Sequence, residues 1–130
     1  MSGKVLLDTT VVIDHLRRRN TQFLHHLQNG GVLYLPLTAL GELHAGAEHS
    51  LWPTKTLAGI RAVLGSVSIL YPRDATSEHY GRIYAELARA GTPIPQNDIW
   101  IAAIAREYEL PIVTRDAHFA RVEGLTVLRW

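Results

Sequence analysis

The stretch KVLLDTTVVI, residues 4–13, decides how this chain is expected to fold. Its apolar run Val5–Leu7 is continuous, as in a strand that is buried on both faces of a parallel sheet, and it stops abruptly at Asp8. Helical spacing of apolar residues begins near Thr10. Asp8 is therefore expected at the carboxyl end of a central strand, where open α/β sheets bind their ligands. Taken alone, however, Asp8 is better explained as the N-cap of the following helix.

The composition predicts one globular domain that spans residues 1–130. Hydrophobic residues make up 47% of the chain and charged residues 19%, which excludes a disordered protein. The net charge of +1 means that any affinity for nucleic acid must come from a local basic patch. The absence of cysteine excludes disulfides and thiol nucleophiles. No stretch is suited to a signal peptide or a membrane span, so we expect a soluble, cytoplasmic protein that does not associate with membranes.

Strands and helices are predicted to alternate along the rest of the chain. Further strands are expected at residues 32–35, 67–70, 112–114 and 125–128, the last of them at a sheet edge. Helices are expected to begin near Thr10, Thr21 and Thr38 and to cover residues 57–64, 74–90 and 97–109. This alternation indicates an α/β fold, in the form of a three-layer α/β/α sandwich with a central, mostly parallel sheet.

Four acids are expected at one edge of that sheet. Asp8 and Asp116 each follow a predicted strand, whereas Glu42 and Asp98 each lie in the first turn of a predicted helix. Each acid by itself is explained by helix capping or by the helix dipole. Four converging carboxylates would nevertheless repel one another and raise one another's pKa values. A bound hard divalent cation is the simplest physical account of such a cluster.

The ordered motifs around these acids resemble those of PIN-domain ribonucleases. They are LDTTVVID at residues 7–14, GEL at 41–43, ND at 97–98 with IAA at 101–103, and VTRDAHF at 113–119. Within that superfamily the chain is most similar to the VapC toxins of bacterial and archaeal type II toxin–antitoxin (VapBC) pairs. The resemblance covers essentially the whole chain, although residues 52–73 carry nothing over.

The resemblance implies a metal-dependent endoribonuclease that hydrolyses RNA with Mg²⁺ or Mn²⁺. Asp8, Glu42, Asp98 and Asp116 match the family's acidic quartet, which both binds the metal and catalyses cleavage. Thr10 and Thr114 match its hydroxyl positions and would orient the carboxylates. The implied partners are an RNA substrate, a cognate VapB-like antitoxin and a second copy of the chain in a homodimer.

Several surface residues are candidates for contacts with these partners. Trp52 and Trp100 are candidates for a dimer contact and an antitoxin groove, unless both rings belong to the core. Asp14 is expected to pair with Arg17 or Arg18 along its helix. The candidates for contacts with RNA phosphates are Arg17, Arg18, Arg19, Arg115 and Arg121.

Three alternatives to a metal-dependent nuclease remain. The first is a catalytically inactive PIN-like module that binds RNA or a partner, although the presence of all four acids speaks against it. The second is phosphoryl transfer through an aspartyl nucleophile at Asp8, but no second acid stands two residues further on. The third is a zinc site that includes His44 and Glu48, but the chain has no H-E-x-x-H motif.

Overall fold

A parallel β-sheet forms the centre of the molecule, which is described by a computed structural model covering residues 3–130. Within these residues the five strands are β1 (Lys4–Leu7), β2 (Val32–Pro36), β3 (Ser68–Leu70), β4 (Ile112–Val113) and β5 (Val127–Leu128). They are arranged in the order β3-β2-β1-β4-β5, and every neighbouring pair is parallel. The sheet confirms the predicted α/β class and places the decisive strand β1 at its middle.

The order of the strands creates a switch point between β1 and β4. From β1 the chain moves outward through β2 to β3, and it then returns to the other side of β1 to form β4. In open α/β sheets, the crevice at the carboxyl ends of two such strands is the usual binding site. Leu7 of β1 lies opposite Val113 of β4, and the Asp8 N–H donates to the Val113 carbonyl at 3.0 Å. Asp8 and Thr114 therefore leave adjacent strands at the same level.

Helices cover the sheet on both faces. In the described part of the chain they are α1 (Thr9–Leu16), α2 (Gln22–Gln28), α3 (Leu37–Glu48), α4 (Pro53–Leu64), α5 (Asp74–Ala90) and α6 (Gln96–Glu107), with a short 3₁₀ helix at Ala117–Arg121. Helices α1, α3 and α4 contact one another, and α5 packs along α6. The connections from β1 to β2 and from β2 to β3 cross the sheet in one direction, and the connection from β3 to β4 crosses it in the other. Because such connections are right-handed, the helices of the first group lie on one face of the sheet and those of the second group on the other. This arrangement is the predicted α/β/α sandwich.

Helix α6 is the most deeply buried helix, as its nearly uniform apolar sequence predicts. Ile99 and the run 101–105 are each at most 3% exposed. A helix that is apolar on all sides must be enclosed by the rest of the protein. Its first turn, which carries Asp98, is therefore held in a fixed position relative to the sheet.

The structure corrects several predicted boundaries. Helix α4 begins at Pro53 rather than at residue 57, because proline is well suited to the first turn of a helix, where its missing N–H costs no bond. Helix α3 begins at Leu37 rather than Thr38, and α6 ends at Glu107, two residues before Glu109, whose φ of 54° is left-handed. The last strand is reduced to Val127–Leu128 and lies at the sheet edge as expected.

The predicted pairing of Asp14 with Arg17 or Arg18 is wrong. Helix α1 ends at Leu16, and Arg18 adopts a positive φ of 56°, so the basic run turns away from the helix face that carries Asp14. Asp14 instead lies beside Arg115, with 2.7 Å between Oδ2 and Nε.

The helices of residues 3–130 are too short or too polar for a membrane span.

Candidate metal and active site

Asp8 lies at the centre of the site, directly after β1, and is only 3% exposed. Although it occupies the N-cap position of α1, it makes no side-chain capping hydrogen bond. Its Oδ2 instead accepts hydrogen bonds from the hydroxyls of Thr114 at 2.8 Å and Thr10 at 3.1 Å. Burial raises the pKa of Asp8, and these hydroxyl bonds oppose that rise. The side chain is therefore directed into the site rather than used to begin the helix.

Thr10 and Thr114 lie beside Asp8, where residues that orient its carboxylate are expected. Each donates its hydroxyl to Asp8 and each accepts a main-chain N–H from the segment after β4. The Arg115 N–H donates to Thr10 Oγ1 at 3.1 Å, and the Asp116 N–H donates to Thr114 Oγ1 at 2.9 Å. The two threonines thus join the start of α1 to the loop that carries Asp116.

Glu42 approaches the same crevice from α3. Because α3 begins at Leu37, Glu42 lies in the second turn and not in the predicted first turn. Its Oε1 accepts a hydrogen bond from Thr9 Oγ1 at 2.8 Å. Burial is the main cause of the raised pKa of Glu42. The charges of three further carboxylates, at Asp8, Asp98 and Asp116, raise this pKa further. The four predicted acids therefore lie close enough for their charges to interact.

Asp98 and Asp116 share one partner, His118. The Nδ1 of His118 lies 2.8 Å from Asp98 Oδ2 and 3.1 Å from Asp116 Oδ1. Asp116 also accepts the His118 N–H at 2.9 Å and so caps the 3₁₀ helix. Burial raises the pKa of Asp98, the hydrogen bond from His118 lowers it, and the charges of the neighbouring acids raise it again.

Thr9 and His118 contact the acids but were not among the predicted site residues. The two adjacent hydroxyls after Asp8 were a sequence signal for Thr9, because Thr9 donates to Glu42 whereas Thr10 donates to Asp8. His118 stands two residues after Asp116, in a turn. Its approach to Asp98 depends on the packing of the 3₁₀ helix against α6, which no local pattern encodes.

The donor atoms of the site fit a divalent metal ion. Asp98, Asp116 and His118 each offer one donor atom, and these three atoms lie within 4.8 Å of one another. Asp8, which is buried, and Glu42, which is half-buried, lie outside this group of three, and their raised pKa values reflect the cost of charge in this crevice. Hard divalent cations prefer carboxylate oxygens, and an imidazole nitrogen is an acceptable additional ligand. A cation at this position would relieve the repulsion among the acids.

Of the predicted phosphate-binding arginines, two have partners within the protein. Arg115 contacts Asp14 and donates to the Trp130 main-chain oxygen at 3.0 Å, and Arg121 donates to the Pro93 carbonyl at 3.0 Å. Arg17, Arg18 and Arg19 are exposed, and within residues 3–130 none of them forms an ion pair.

The structure also bears on the zinc alternative and on the two tryptophans. His44 and Glu48 are exposed on α3, and neither belongs to the group of possible ligands found in the described residues. Trp52 is 70% exposed, so it is not a core residue. Trp100 is half-buried and packs on Tyr80, with 4.4 Å between the ring centroids.

The fold and the site together define a class of α/β/α proteins with acids gathered at the switch point of a parallel sheet. Residues 5–125 match the family model of the PIN domain, and the chain belongs to the PIN-domain family. It is 36% identical over 129 residues to the ribonuclease VapC2 of Haemophilus influenzae and 35% identical over 129 residues to the tRNA(fMet)-specific endonuclease VapC of Shigella flexneri, with 98% of each chain covered in both comparisons. The DNA-bound VapBC structure from Salmonella typhimurium is 30% identical with a TM-score of 0.88, and the match covers 100% of this chain and 99% of that one. The predicted family resemblance is confirmed.

Proposed function

We propose that this chain is a metal-dependent endoribonuclease of the VapC type, the toxin of a type II toxin–antitoxin pair. The observation that carries the proposal is the convergence of four acids from separate segments of the chain at the β1/β4 switch point. Glu42, Asp98 and Asp116 line one crevice. Asp8 is linked to Asp116 through the hydroxyl of Thr114. Relatives of matching length that are named ribonuclease VapC2 and tRNA(fMet)-specific endonuclease VapC support it. The substrate is RNA, and the bound ion is Mg²⁺ or Mn²⁺.

The residues of the site have distinct parts in this proposal. The four acids hold the ion and offer the oxygen ligands that Mg²⁺ and Mn²⁺ prefer. When bound, the ion supplies positive charge that polarises a phosphoryl oxygen and promotes the ionisation of water. Thr10 and Thr114 keep the Asp8 carboxylate in one orientation, and Thr9 does the same for Glu42. The phosphate group of RNA would be repelled by these acids alone, so the ion is also needed for binding.

Two experiments separate this proposal from an inactive RNA-binding module. The first compares RNA cleavage by the wild type in chelator, in Mg²⁺ and in Mn²⁺. The second compares the wild type with Asp98→Asn, which keeps the shape of the side chain and removes its charge. We expect cleavage only with metal, and a loss in Asp98→Asn larger than the roughly 10–100-fold cost of losing an outer partner of a metal site.

Asp74→Asn is the matched control, because Asp74 is an exposed acid in the first turn of α5. It should cleave RNA as the wild type does. Cleavage in chelator, or equal activity of Asp98→Asn and the wild type, would contradict the proposed site. Metal binding and RNA binding without cleavage by the wild type would support the inactive module instead.

A groove between α1, α3 and α4 is the proposed binding surface for a VapB-like antitoxin. Its lining includes Ile13, Leu43, Ile60 and the exposed Trp52, and it reaches Glu42 of the acidic site. An amphipathic segment could place its apolar face on these side chains and a cationic side chain beside Glu42. This proposal gives the exposed Trp52 a partner. The protein is also proposed to form a homodimer.

A further inference from the structure

An ion pair lies immediately behind the acidic site. Arg115 Nε is 2.7 Å from Asp14 Oδ2, and its N–H hydrogen bonds to the main-chain oxygen of Trp130 at 3.0 Å. Asp14 belongs to α1, whereas Arg115 stands between Thr114 and Asp116 in the loop after β4. The pair therefore joins the two segments that carry the acids Asp8 and Asp116.

The carboxylate of Asp14 depends on this arginine. Its side chain is only 13% exposed, and its buried Oδ2 accepts no hydrogen bond from residues 3–130. Arg115 is the cation within ion-pair distance of Asp14 in the described part of the chain. A buried carboxylate that loses its only cationic partner is strongly destabilised, so the two side chains hold each other in place. The Nε of Arg115 is thus occupied within the protein, although its side chain is 40% exposed.

Hydrogen bonds connect the pair to the acids. The Arg115 main-chain N–H donates to Thr10 Oγ1 at 3.1 Å, and Thr10 in turn donates to Asp8 at 3.1 Å. On the other side of Arg115, the Asp116 N–H donates to Thr114 Oγ1 at 2.9 Å, and Thr114 donates to Asp8 at 2.8 Å. A shift of Arg115 would therefore disturb Asp8 and Asp116 together.

We propose that Asp14 and Arg115 are positioning residues of the metal site. Their ion pair fixes the 114–116 segment against α1 and so sets the separation between Asp116 and Asp8. Ligand positions at a metal site are commonly held by such outer contacts. The inference rests on the proposed function for the existence of the metal site, and it gives Arg115 a role that does not require contact with RNA.

The test compares Asp14→Asn, Arg115→Gln and the double variant with the wild type. Mn²⁺ affinity is measured by calorimetry without RNA, and the exchange rates of the Arg115 and Asp116 main-chain amides are measured by NMR in chelator. We expect each single variant to bind Mn²⁺ about tenfold more weakly, as outer partners of metal sites do when lost. The double variant should be no weaker than the single variants, because both changes remove the same pair. The two amides should exchange faster in all three variants.

Arg106→Gln is the matched control. Arg106 forms a two-pronged pair with Glu86, with both N–O distances 2.9 Å, and this pair joins α5 to α6 away from the acids. Its loss should lower the melting temperature without changing Mn²⁺ affinity or the two amide exchange rates. Arg115→Lys, which retains a cation, should recover part of the lost Mn²⁺ affinity.

Two results would overturn the positioning role. One is unchanged amide exchange in Asp14→Asn and Arg115→Gln. The other is a higher KM for RNA in Arg115→Gln alone, with normal Mn²⁺ affinity and no effect of Asp14→Asn, which is the behaviour of a phosphate contact. If the wild type does not cleave RNA but the variants lose Mn²⁺ affinity as expected, the positioning role is supported and the proposed nuclease function is contradicted. The exchange measurement needs no metal, so it decides the positioning role by itself.

Discussion

The four acids of the site differ in the groups that compensate their charge. Asp98 and Asp116 share His118, whereas Asp8 accepts hydrogen bonds only from neutral threonine hydroxyls among the side chains of the described residues. Asp8 is also the most buried of the acids. Glu42 likewise accepts only a neutral hydroxyl, from Thr9, but it is less buried than Asp8. Ionised Asp8 is therefore the most buried charge in the site without a cationic partner when no metal is bound.

Asp8→Asn should stabilise the protein in chelator. The change removes a buried charge with little change in shape, and we expect a gain of about 1 kcal/mol, typical of a single stabilising change. The melting temperature should then rise by about 4 °C. Asp98→Asn should give a smaller gain, because the neutral amide interacts less strongly with His118 than the carboxylate does. Melting curves in chelator and in Mn²⁺ measure both effects. A variant that melts at or below the wild-type temperature in chelator would show that Asp8 carries no electrostatic strain.

The stabilisation by Asp8→Asn should depend on pH. Burial is the main cause of the raised pKa values of Asp8, Glu42 and Asp98, so the unfolded chain loses these protons before the folded protein does. As the pH rises above the unfolded values of 3.8 for Asp and 4.5 for Glu, the free energy of unfolding falls until the raised folded pKa values are passed. The variant lacks one such group.

We therefore expect the melting temperature of Asp8→Asn minus that of the wild type, in chelator, to increase from acid toward neutral pH. The difference in melting temperature between the two proteins is the useful quantity, because the total stability also depends on acids whose pKa values are lowered in the folded protein. Glu86, for example, has a pKa that is lowered by the hydrogen bonds from Arg106. A difference that is constant with pH, or largest in acid, would contradict the raised pKa of Asp8.

At the scale of secondary structure, the site depends on how the 3₁₀ helix packs. Phe119 of this helix is fully buried, and its neighbour His118 reaches both Asp98 and Asp116. Phe119 therefore anchors the turn that places His118 and Asp116 against α6.

Phe119→Ala should both destabilise the protein and weaken metal binding. The cost of the cavity is expected to be about 3–5 kcal/mol, measured by urea denaturation. Phe23→Ala is the control, because Phe23 is equally buried in α2, which carries none of the acids. If both variants remain folded and lose the same Mn²⁺ affinity, or if neither loses any, the 3₁₀ helix does not position the ligands.

At the scale of the whole molecule, the surface carries apolar groups that need partners. The exposed large apolar side chains include Leu51 at 90% and Trp52 at 70%, both of which line the groove that reaches Glu42. Exposed apolar surface of this kind is typical of protein interaction sites.

Trp52→Ala should weaken the complex with the cognate antitoxin and leave RNA cleavage unchanged. An aromatic anchor in an interface commonly contributes 2 kcal/mol or more, so the Kd should rise roughly thirtyfold. Tyr71→Ala is the control, because Tyr71 is 62% exposed and does not line this groove. Equal antitoxin affinity of Trp52→Ala and the wild type, measured by calorimetry, would place the antitoxin on another surface.

The protein should be a homodimer in solution. One chain has a mass of 14.5 kDa, and light scattering should report twice that value at tens of micromolar. A monomer mass under these conditions would remove the dimer from the proposed assembly.

Local sequence determined the class of fold and the edge of the sheet at which Asp8, Asp98 and Asp116 lie. Buried parallel strands appear as continuous apolar runs, and a residue that directly follows such a strand must lie at the carboxyl edge of the sheet. Asp8 is in this position, Asp116 follows β4 by three residues, and Asp98 lies in the first turn of the apolar helix α6. Helix ends were predicted less well, because capping and proline effects shift a boundary by a few residues without changing the face that is buried.

Thr10 and Thr114 were predicted to support the acids, but only the tertiary structure decided which acid each hydroxyl contacts and added Thr9 and His118. Thr114 donates to Asp8 across 106 positions of sequence, and Thr9 donates to Glu42 across 33. Arg115 is engaged by Asp14 rather than left free, although both look like ordinary surface charges in the sequence. These contacts depend on the strand order β3-β2-β1-β4-β5, which brings the first and fourth strands together. The strand order is set by the packing of the whole chain, so no local pattern of residues can specify it.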